Sequence, residues 1–351
     1  IVNIGLEGMM VIGTWFGAWA GWFYGPWYGV LAGLLGGALF GLIHAVGTIT
    51  FQVDHIVSGV AINILAAGVA RFLSVVAYAD VPAGGATQSP RVDERIEKIS
   101  IPYLSGGKIN ESDTADVFGS LEALDLFFIS DLFGLLGGLT RNISYFSILA
   151  ILLVPVSVWV LWSTSFGLQL RSVGEYPVGS ESVGVNVYLM KYIGVTISGA
   201  FAGLAGAYLV IESAGIYREG QTGGRGFIGL AAMIFGNWKP LGTFLGSSLF
   251  GYADSLQLRS EESVHGLLII IVCVLFIVGI RSFIKKNLRT AIVSFIFSGL
   301  FLFWFLNSST IPNEFVFFTP HITTLIVLSF ASQRLRMPKF IGKAYKKGEL
   351  N

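Results

Sequence analysis

Gly25-Pro26-Trp27-Tyr28-Gly29-Val30-Leu31-Ala32-Gly33-Leu34-Leu35-Gly36-Gly37-Ala38-Leu39-Phe40-Gly41-Leu42-Ile43-His44-Ala45-Val46-Gly47 decides the fold class. From Trp27 to Gly47 it holds no Asp, Glu, Lys or Arg. A helix needs about 20 apolar residues to cross a bilayer core of about 30 Å, and this run has that length. Gly25, Gly29, Gly33, Gly37 and Gly41 recur every four residues and Ala45 continues the row, so a helix would present one smooth face. Lipid supplies no hydrophobic drive between helices, and small residues at i, i+4 let backbones approach and gain dispersion contacts instead. Such a face serves either a tight, movable seam or static packing.

Nine further apolar runs extend the pattern, near 9 to 23, 55 to 78, 143 to 165, 189 to 212, 226 to 236, 241 to 257, 265 to 284, 288 to 306 and 315 to 332. Composition agrees. Of 351 residues, 54% are hydrophobic and only 12% charged, about half the charged fraction of a soluble domain. The expected fold is an all-α integral membrane bundle of about nine to ten transmembrane segments forming a single domain over 1–351. The run 226 to 236 is too short to span alone. It reads either as a broken or re-entrant helix lining a cavity, where irregular backbone is permitted, or as a poorly delimited span. The 189 to 212 run repeats the small-residue device with Gly194, Ser198, Ala202 and Gly206.

Orientation follows from Lys and Arg in short loops. If 166 to 188 is cytoplasmic, alternation also puts Lys239, the Arg281/Lys285/Lys286/Arg289 cluster and the basic tail 333–351 inside. The opposite side receives 80 to 140, where ten acids (among them Glu111, Asp125 and Asp131) face four bases. One assignment therefore suits every loop, with a multi-pass protein of the cytoplasmic membrane and a cytoplasmic C-terminus. The chain begins at Ile1 with neither a methionine nor a signal peptide pattern, so residues are expected upstream.

Several chemistries are excluded. A net charge of +1 gives no attraction to nucleic acid, and the lone Cys273, inside an apolar run, reads as a packing residue. Gly224-Arg225-Gly226-Phe227-Ile228-Gly229 matches the dinucleotide pattern, but that site needs a βαβ unit. Gly107-Lys108 and Gly342-Lys343 lack the rest of a Walker loop, so no ATP chemistry is expected in this chain. His44, His55, His265 and His321 have no metal-ligand spacing. The expected cofactor set is empty.

Polar groups inside spans are costly and default to functional readings. Asn63, mid-span, offers an amide either to a sugar hydroxyl or base edge, or to a neighbouring helix as a clamp. Glu7 either caps a positive helix end or faces a cavity. Arg71, Glu212 and Asp254 lie near span ends, where they can snorkel. The loop from Phe166 to Tyr188 contains a short amphipathic element starting near Pro177 and ending near Gly184, suited to docking on a partner.

At this loop the sequence resembles a known family. Gly167-Leu168-Gln169-Leu170-Arg171-Ser172-Val173-Gly174-Glu175, with Pro177 and Gly184, is similar to the cytoplasmic coupling segment of ABC importer permeases of the simple-sugar and nucleoside branch, type II-like in fold. Asn3-Ile4-Gly5-Leu6-Glu7-Gly8 resembles the family's early signature. Ser198 to Ala207, Gly226 to Gly242 and the Gly342-Lys343-Ala344-Tyr345 tail follow in order. The guanosine-type nucleoside permeases are the nearest subgroup.

The resemblance implies nucleoside uptake beside a second permease, an ATP-binding subunit that carries ATP and Mg, and a receptor lipoprotein. Arg171, Gly174, Glu175, Pro177 and Gly184 would then engage the ATPase, and Asn63, Phe227 and Glu7 would line the substrate path. Three features depart from the family: Val178-Gly179-Ser180 after the proline; a further first helix of the family, which Ile1 is expected to postdate; and a longer 80–140 segment together with an inserted hairpin over 265–306. The competing readings are a ribose-like sugar permease and an ion-coupled transporter acting alone. The latter would need a deep carboxylate, for which Glu7 is the candidate.

Overall fold

The protein is described by a computed structural model covering residues 2–109, 112–124, 129–256, 265, 267–308, 312 and 335–347. The run 315 to 332, His321, Glu111 and Asp125 lie outside the described residues. The chain divides into two compact units, Ile1–Ala231 with Met337–Asn351, and Ala232–Arg336.

In the first unit α1 (Leu6–Tyr24) and α2 (Pro26–Ala45) form an antiparallel pair, and α3 (His55–Tyr78) follows a π-helical turn at Val46–Thr50. The segment beyond α3 carries two small antiparallel ladders: β1 (Lys98–Ile99) with β4 (Ile143–Ser144), and β2 (Lys108–Ile109) with β3 (Ser112–Asp113). It also holds α4 (Val117–Glu122) and α5 (Ile129–Gly138). Then come α6 (Tyr145–Ser163), α7 (Ser165–Glu175), α8 (Pro177–Ser182) and α9 (Val187–Tyr208), which ends in a π-helical segment, Leu209–Ala214. α10 (Arg225–Phe235) crosses into the second unit, which adds α11 (Pro240–Leu256), α12 (Leu267–Ile284) and α13 (Leu288–Asn307). Among the described residues five helices are long and apolar enough to cross a membrane: Pro26–Thr50, His55–Tyr78, Tyr145–Ser163, Val187–Ala214 and Leu288–Asn307.

The core of the first unit is a three-helix seam of α1, α2 and α9, in which backbones meet directly. A Cβ added at Gly13 would stand 2.2 Å from the Gly203 carbonyl oxygen, and one at Gly37 2.3 Å from that of Gly199. Gly29 faces Gly17, and Gly41 faces Val195 and Gly199. Only glycine fits at such contacts, and close approach is what packs helices in lipid. Side chains complete the seam, as Trp15 Nε1 donates to Ser74 Oγ on α3 at 2.9 Å.

Three sequence-based expectations need correction. Gly25 is not in the helix: it makes the α1–α2 turn with φ of +97°, a left-handed conformation that favours glycine, and Pro26 opens α2 at its first position. On α9 the residues meeting α2 are Val195, Gly199 and Gly203, one position beyond the expected row. A one-residue step turns a helix by about 100°, so the expected row meets other neighbours. Gly194 approaches Leu170, Ser198 bonds Asn3, Ala202 packs on the Met9/Ile12/Phe40 cluster, and Gly206 faces α1, where an added Cβ would stand 2.2 Å from the Met10 carbonyl oxygen. Finally, Cys273 is exposed rather than packed.

In the second unit α10 ends at Phe235, and Asn237 and Trp238 adopt φ of +55° and +56° to reverse the chain into α11. Gly236 and Gly242 touch across this turn, since a Cβ on Gly242 would meet the Gly236 oxygen at 2.3 Å. The 11 residues of α10 rise about 16 Å, roughly half a bilayer core. α12 and α13 form a hairpin held by Phe276 edge-on to Phe295, by Phe295 over Gly279, and by Ser298 Oγ donating to the Val272 carbonyl at 3.1 Å.

Candidate functional site

Two constellations bring the expected functional residues together. The first is built by Asn3 to Gly8. Gly59 on α3 lets this segment lie against the helix, because a Cβ there would fall 2.8 Å from Ile4 Cβ. Asn63, one turn on, holds it at both ends: Oδ1 accepts from the Gly8 amide at 2.8 Å, and Nδ2 donates to the Ile4 carbonyl at 3.2 Å. That is the clamp alternative of the two readings of Asn63. Asn3 Nδ2 donates to Ser198 Oγ at 3.0 Å, tying the segment to α9.

Glu7 then reaches the start of α10. Its Oε1 accepts from the Gly224 amide at 2.9 Å and its Oε2 from the Gly226 amide at 2.7 Å. The first turn of a helix leaves its N–H groups unpaired and carries partial positive charge, so a carboxylate satisfies both at once. Glu7 thus caps a helix more than 200 positions away, as well as standing in the first turn of its own. Gly226 permits the approach, since a Cβ there would lie 2.5 Å from the Glu7 nitrogen. Phe227, next along, is 46% exposed.

The second constellation is the α7–α8 element. Most of the first half of the expected 166–188 loop is helical: Ser165–Glu175 forms α7, and Thr164 Oγ1 accepts from the Gly167 amide and caps it. Tyr176 breaks the helix and Pro177 opens α8, its ring fully buried. Gly184 ends the element at φ of +89°. Arg171 lies over the Trp162 ring at 5.2 Å.

The C-terminal segment folds over this element. The Phe340 amide donates to the Gly174 carbonyl at 3.1 Å, the Lys339 amide to Glu175 Oε2 at 3.3 Å, and Lys339 Nζ stands 3.5 Å from Glu175 Oε1. The Tyr345 hydroxyl donates to Glu181 Oε2, and Lys347 stands 3.8 Å from the other oxygen. Val173, Val187, Met190 and Tyr345 form the apolar floor beneath. Burial and the adjacent Glu181 carboxylate push the Tyr345 hydroxyl up to about 12. Glu181 and Lys339 were not singled out from sequence, and Tyr345 entered only as the last residue of the Gly342–Tyr345 tail, without a partner. The available signal was two aromatics, Phe340 and Tyr345, in an otherwise basic tail.

The remaining polar candidates lie apart from both. Arg71 is 3.8 Å from Glu219, with both side chains largely in the open. Glu212, nearly buried, is paired with Lys98 at 3.1 Å. That pair, with the Ser89–Tyr217 and Val92–Gly215 hydrogen bonds, straps the stretch after α3 onto the end of α9. His44 Nδ1 bonds Ser58, and His265 Nε2 bonds Ser308.

A family model described as branched-chain amino acid transport system / permease component matches residues 1–277. The chain is 35% identical to the guanosine ABC transporter permease protein NupQ of Bacillus subtilis, over 99% of this chain and 89% of that protein. It is 32% identical to the nucleoside ABC transporter permease protein NupC of Lactococcus lactis over the same shares. The putative glucose ABC transporter permease protein TsgC13 of Haloferax volcanii is 29% identical over 75% of this chain and 70% of its own length. No solved structure matches.

Proposed function

Because the chain belongs to the branched-chain amino acid transport system / permease component family, a family of ABC transporter permeases, we propose that it is the nucleoside-translocating subunit of an ATP-driven importer. Near-full-length similarity to two nucleoside permeases supports that substrate class. The whole chain acts as one permease domain of nine to ten membrane segments, with α10 as the broken one. Its C-terminus and the α7–α8 element are cytoplasmic, and the segment 80–140 is extracytoplasmic. ATP and Mg are bound by a separate subunit, and a second permease and a receptor lipoprotein complete the assembly.

One observation carries the mechanism. The α7–α8 element is a short helical pair that presents a half-exposed Glu175 and rests on the buried Pro177 and Val173. It is continuous through Gly184 and Asn186 with α9, whose glycine face meets α1 and α2. ATP-driven motion of a subunit docked on Arg171, Gly174 and Glu175 would be passed along α9 into the glycine seam. The seam shifts as backbone against backbone, without repacking of large side chains. Asn63 and Glu7 position the Gly224–Phe227 turn, so that Phe227 offers its ring to a base. Aromatic–base stacking is worth about 1 to 3 kcal/mol.

The test is reconstitution with the ATPase subunit. Glu175→Arg with Pro177→Gly should abolish stimulated hydrolysis while the permease stays folded; full retention of binding and stimulation would refute the coupling role. A sugar substrate is the second reading, favoured by similarity to the putative glucose permease. Uptake of labelled guanosine against labelled ribose and glucose by the assembled transporter separates the two. A secondary transporter acting alone is disfavoured, because the carboxylate it needs, Glu7, is engaged by two backbone amides.

A further inference from the structure

The α12–α13 hairpin carries a feature that the proposed coupling mechanism leaves unused. Between 267 and 308 the sequence contains no Asp or Glu, yet Arg281, Lys285, Lys286 and Arg289 crowd the turn. All four are exposed, and among the described residues none of them makes an ion pair. Lys286 holds a φ of +59° and Asn287 caps α13 through the Thr290 amide, so the turn is a defined structure.

The cations do not stand alone. Ile277, Ile280, Arg281, Ile284 and Lys285 line a groove of about 400 Å³ along α12. These positions follow the i, i+3, i+4, i+7, i+8 repeat and so share one helix face, turned away from the face through Val272, Phe276 and Gly279 that packs on α13. The groove is apolar along its length and cationic at the end nearest the turn, with Ile277 63% and Ile284 74% exposed.

We infer that this groove binds one anionic phospholipid, its acyl chain along Ile277, Ile280 and Ile284 and its phosphate between Arg281 and Lys285. The argument is charge complementarity joined to amphipathic shape. Among the described residues these four exposed cations have no carboxylate partner, which leaves the positive charge at the turn open to an external anion. An apolar wall ending at basic side chains fits a molecule whose phosphate is attached to a hydrocarbon chain. Juxtamembrane Lys and Arg attract anionic headgroups, and two of them predict a preference for phosphatidylglycerol over phosphatidylcholine of roughly 30-fold, about fivefold for each. The site requires only that the hairpin lie in a membrane, and its outcome is separate from that of the coupling and substrate experiments.

The test is native mass spectrometry of the full chain released from detergent micelles containing the two lipids with identical acyl chains. One retained phosphatidylglycerol per chain is expected. Arg281→Gln with Lys285→Gln should bring the two lipids to parity, whereas the charge-conserving pair Arg281→Lys and Lys285→Arg should keep the preference. Ile280→Asn should weaken both lipids alike, and Lys108→Gln, on the segment 80–140, should change nothing. Parity in the parent chain, or an undiminished preference in the double Gln variant, overturns the proposal. Displacement of the lipid by soluble glycerol phosphate at comparable concentration would overturn it in favour of a phosphate site. Quantitative disulfide cross-linking in membranes of Ile284→Cys to another protein chain would show a protein seam instead.

Discussion

The α1–α2–α9 seam, where α2 runs antiparallel to both α1 and α9, and the antiparallel α12–α13 hairpin are both apolar packings, yet they are held in opposite ways. In the seam, backbone meets backbone: Gly13 against Gly203, Gly37 against Gly199, Gly29 against Gly17. In the hairpin, side chain meets side chain or fills a gap, with Phe295 over Gly279 and a serine hydroxyl on the Val272 carbonyl. A backbone seam has no soft atoms to yield, so it tolerates sliding along its row and no increase in size. A side-chain interface can rotate a ring to absorb change, but has to repack in order to move. The part of the molecule proposed to transmit motion is the part built the first way.

The largest expected effect breaks the seam. Gly37→Leu or Gly203→Leu should cost about 3 kcal/mol or more and reduce the folded fraction, because the first added carbon already stands about 2.2 to 2.3 Å from a carbonyl oxygen of a neighbouring helix. Gly299→Ala on α13, where nothing lies within 4 Å, should be neutral or stabilise by up to about 1 kcal/mol. Detergent-unfolding midpoints followed by circular dichroism measure both. Equal shifts for the two classes would remove the distinction between the regions.

The four-residue glycine repeat made the existence of the seam legible, because it depends only on local periodicity. Which residues of α9 oppose α2 was not legible, since that depends on the crossing of two helices, and the contacting row proved to be one position on from the one read. Likewise Glu7 could be recognised as costly and helix-associated, but its partner amides are more than 200 positions away and no local pattern names them. Asn63 left two readings open for the same reason, and its two hydrogen bonds to Ile4 and Gly8 match the clamp. The helical state of Ser165–Glu175 was missed because its low hydrophobicity and glycines resemble a loop, while the Thr164 cap that starts it is a single weak signal.

A smaller effect is expected where side chain meets backbone. Glu7→Ala leaves the Gly224 and Gly226 amides without their acceptor and should cost about 1 to 3 kcal/mol, with Glu7→Gln costing less because one oxygen remains. Hydrogen exchange at those amides should accelerate in both variants, more in Ala. Unchanged exchange would mean that α10 is anchored by something other than Glu7.

Smaller again is the link of Tyr345 to Glu181, side chain to side chain. Tyr345→Phe should cost about 1 kcal/mol and Glu181→Gln a similar amount, with a double-mutant cycle showing that the two are coupled. The pH dependence has a definite sign. The folded hydroxyl is raised from 10.0 to about 12, so the native state keeps a proton that the unfolded chain gives up. The contribution is therefore complete below pH 10 and lost between about 10 and 12. A phenolate absorbance step near 12, absent in Tyr345→Phe, confirms it; a step at 10 means the ring is in water.

The smallest effect on stability belongs to Glu175 and Lys339, whose side chains are 52% and 81% exposed. Solvent screens such a pair, so Lys339→Ala should change stability by no more than about 0.5 kcal/mol. The same weakness makes the pair informative about coupling. If Glu175 is the residue that meets the ATPase, Lys339 competes for it within the chain, and removing Lys339 should raise the affinity of the ATPase subunit without changing the stability of the permease. Direct titration of the ATPase onto reconstituted permease measures this. A loss of affinity on Lys339→Ala would instead mean that the folded tail is part of the docking surface, with Lys339 and Glu175 presented together.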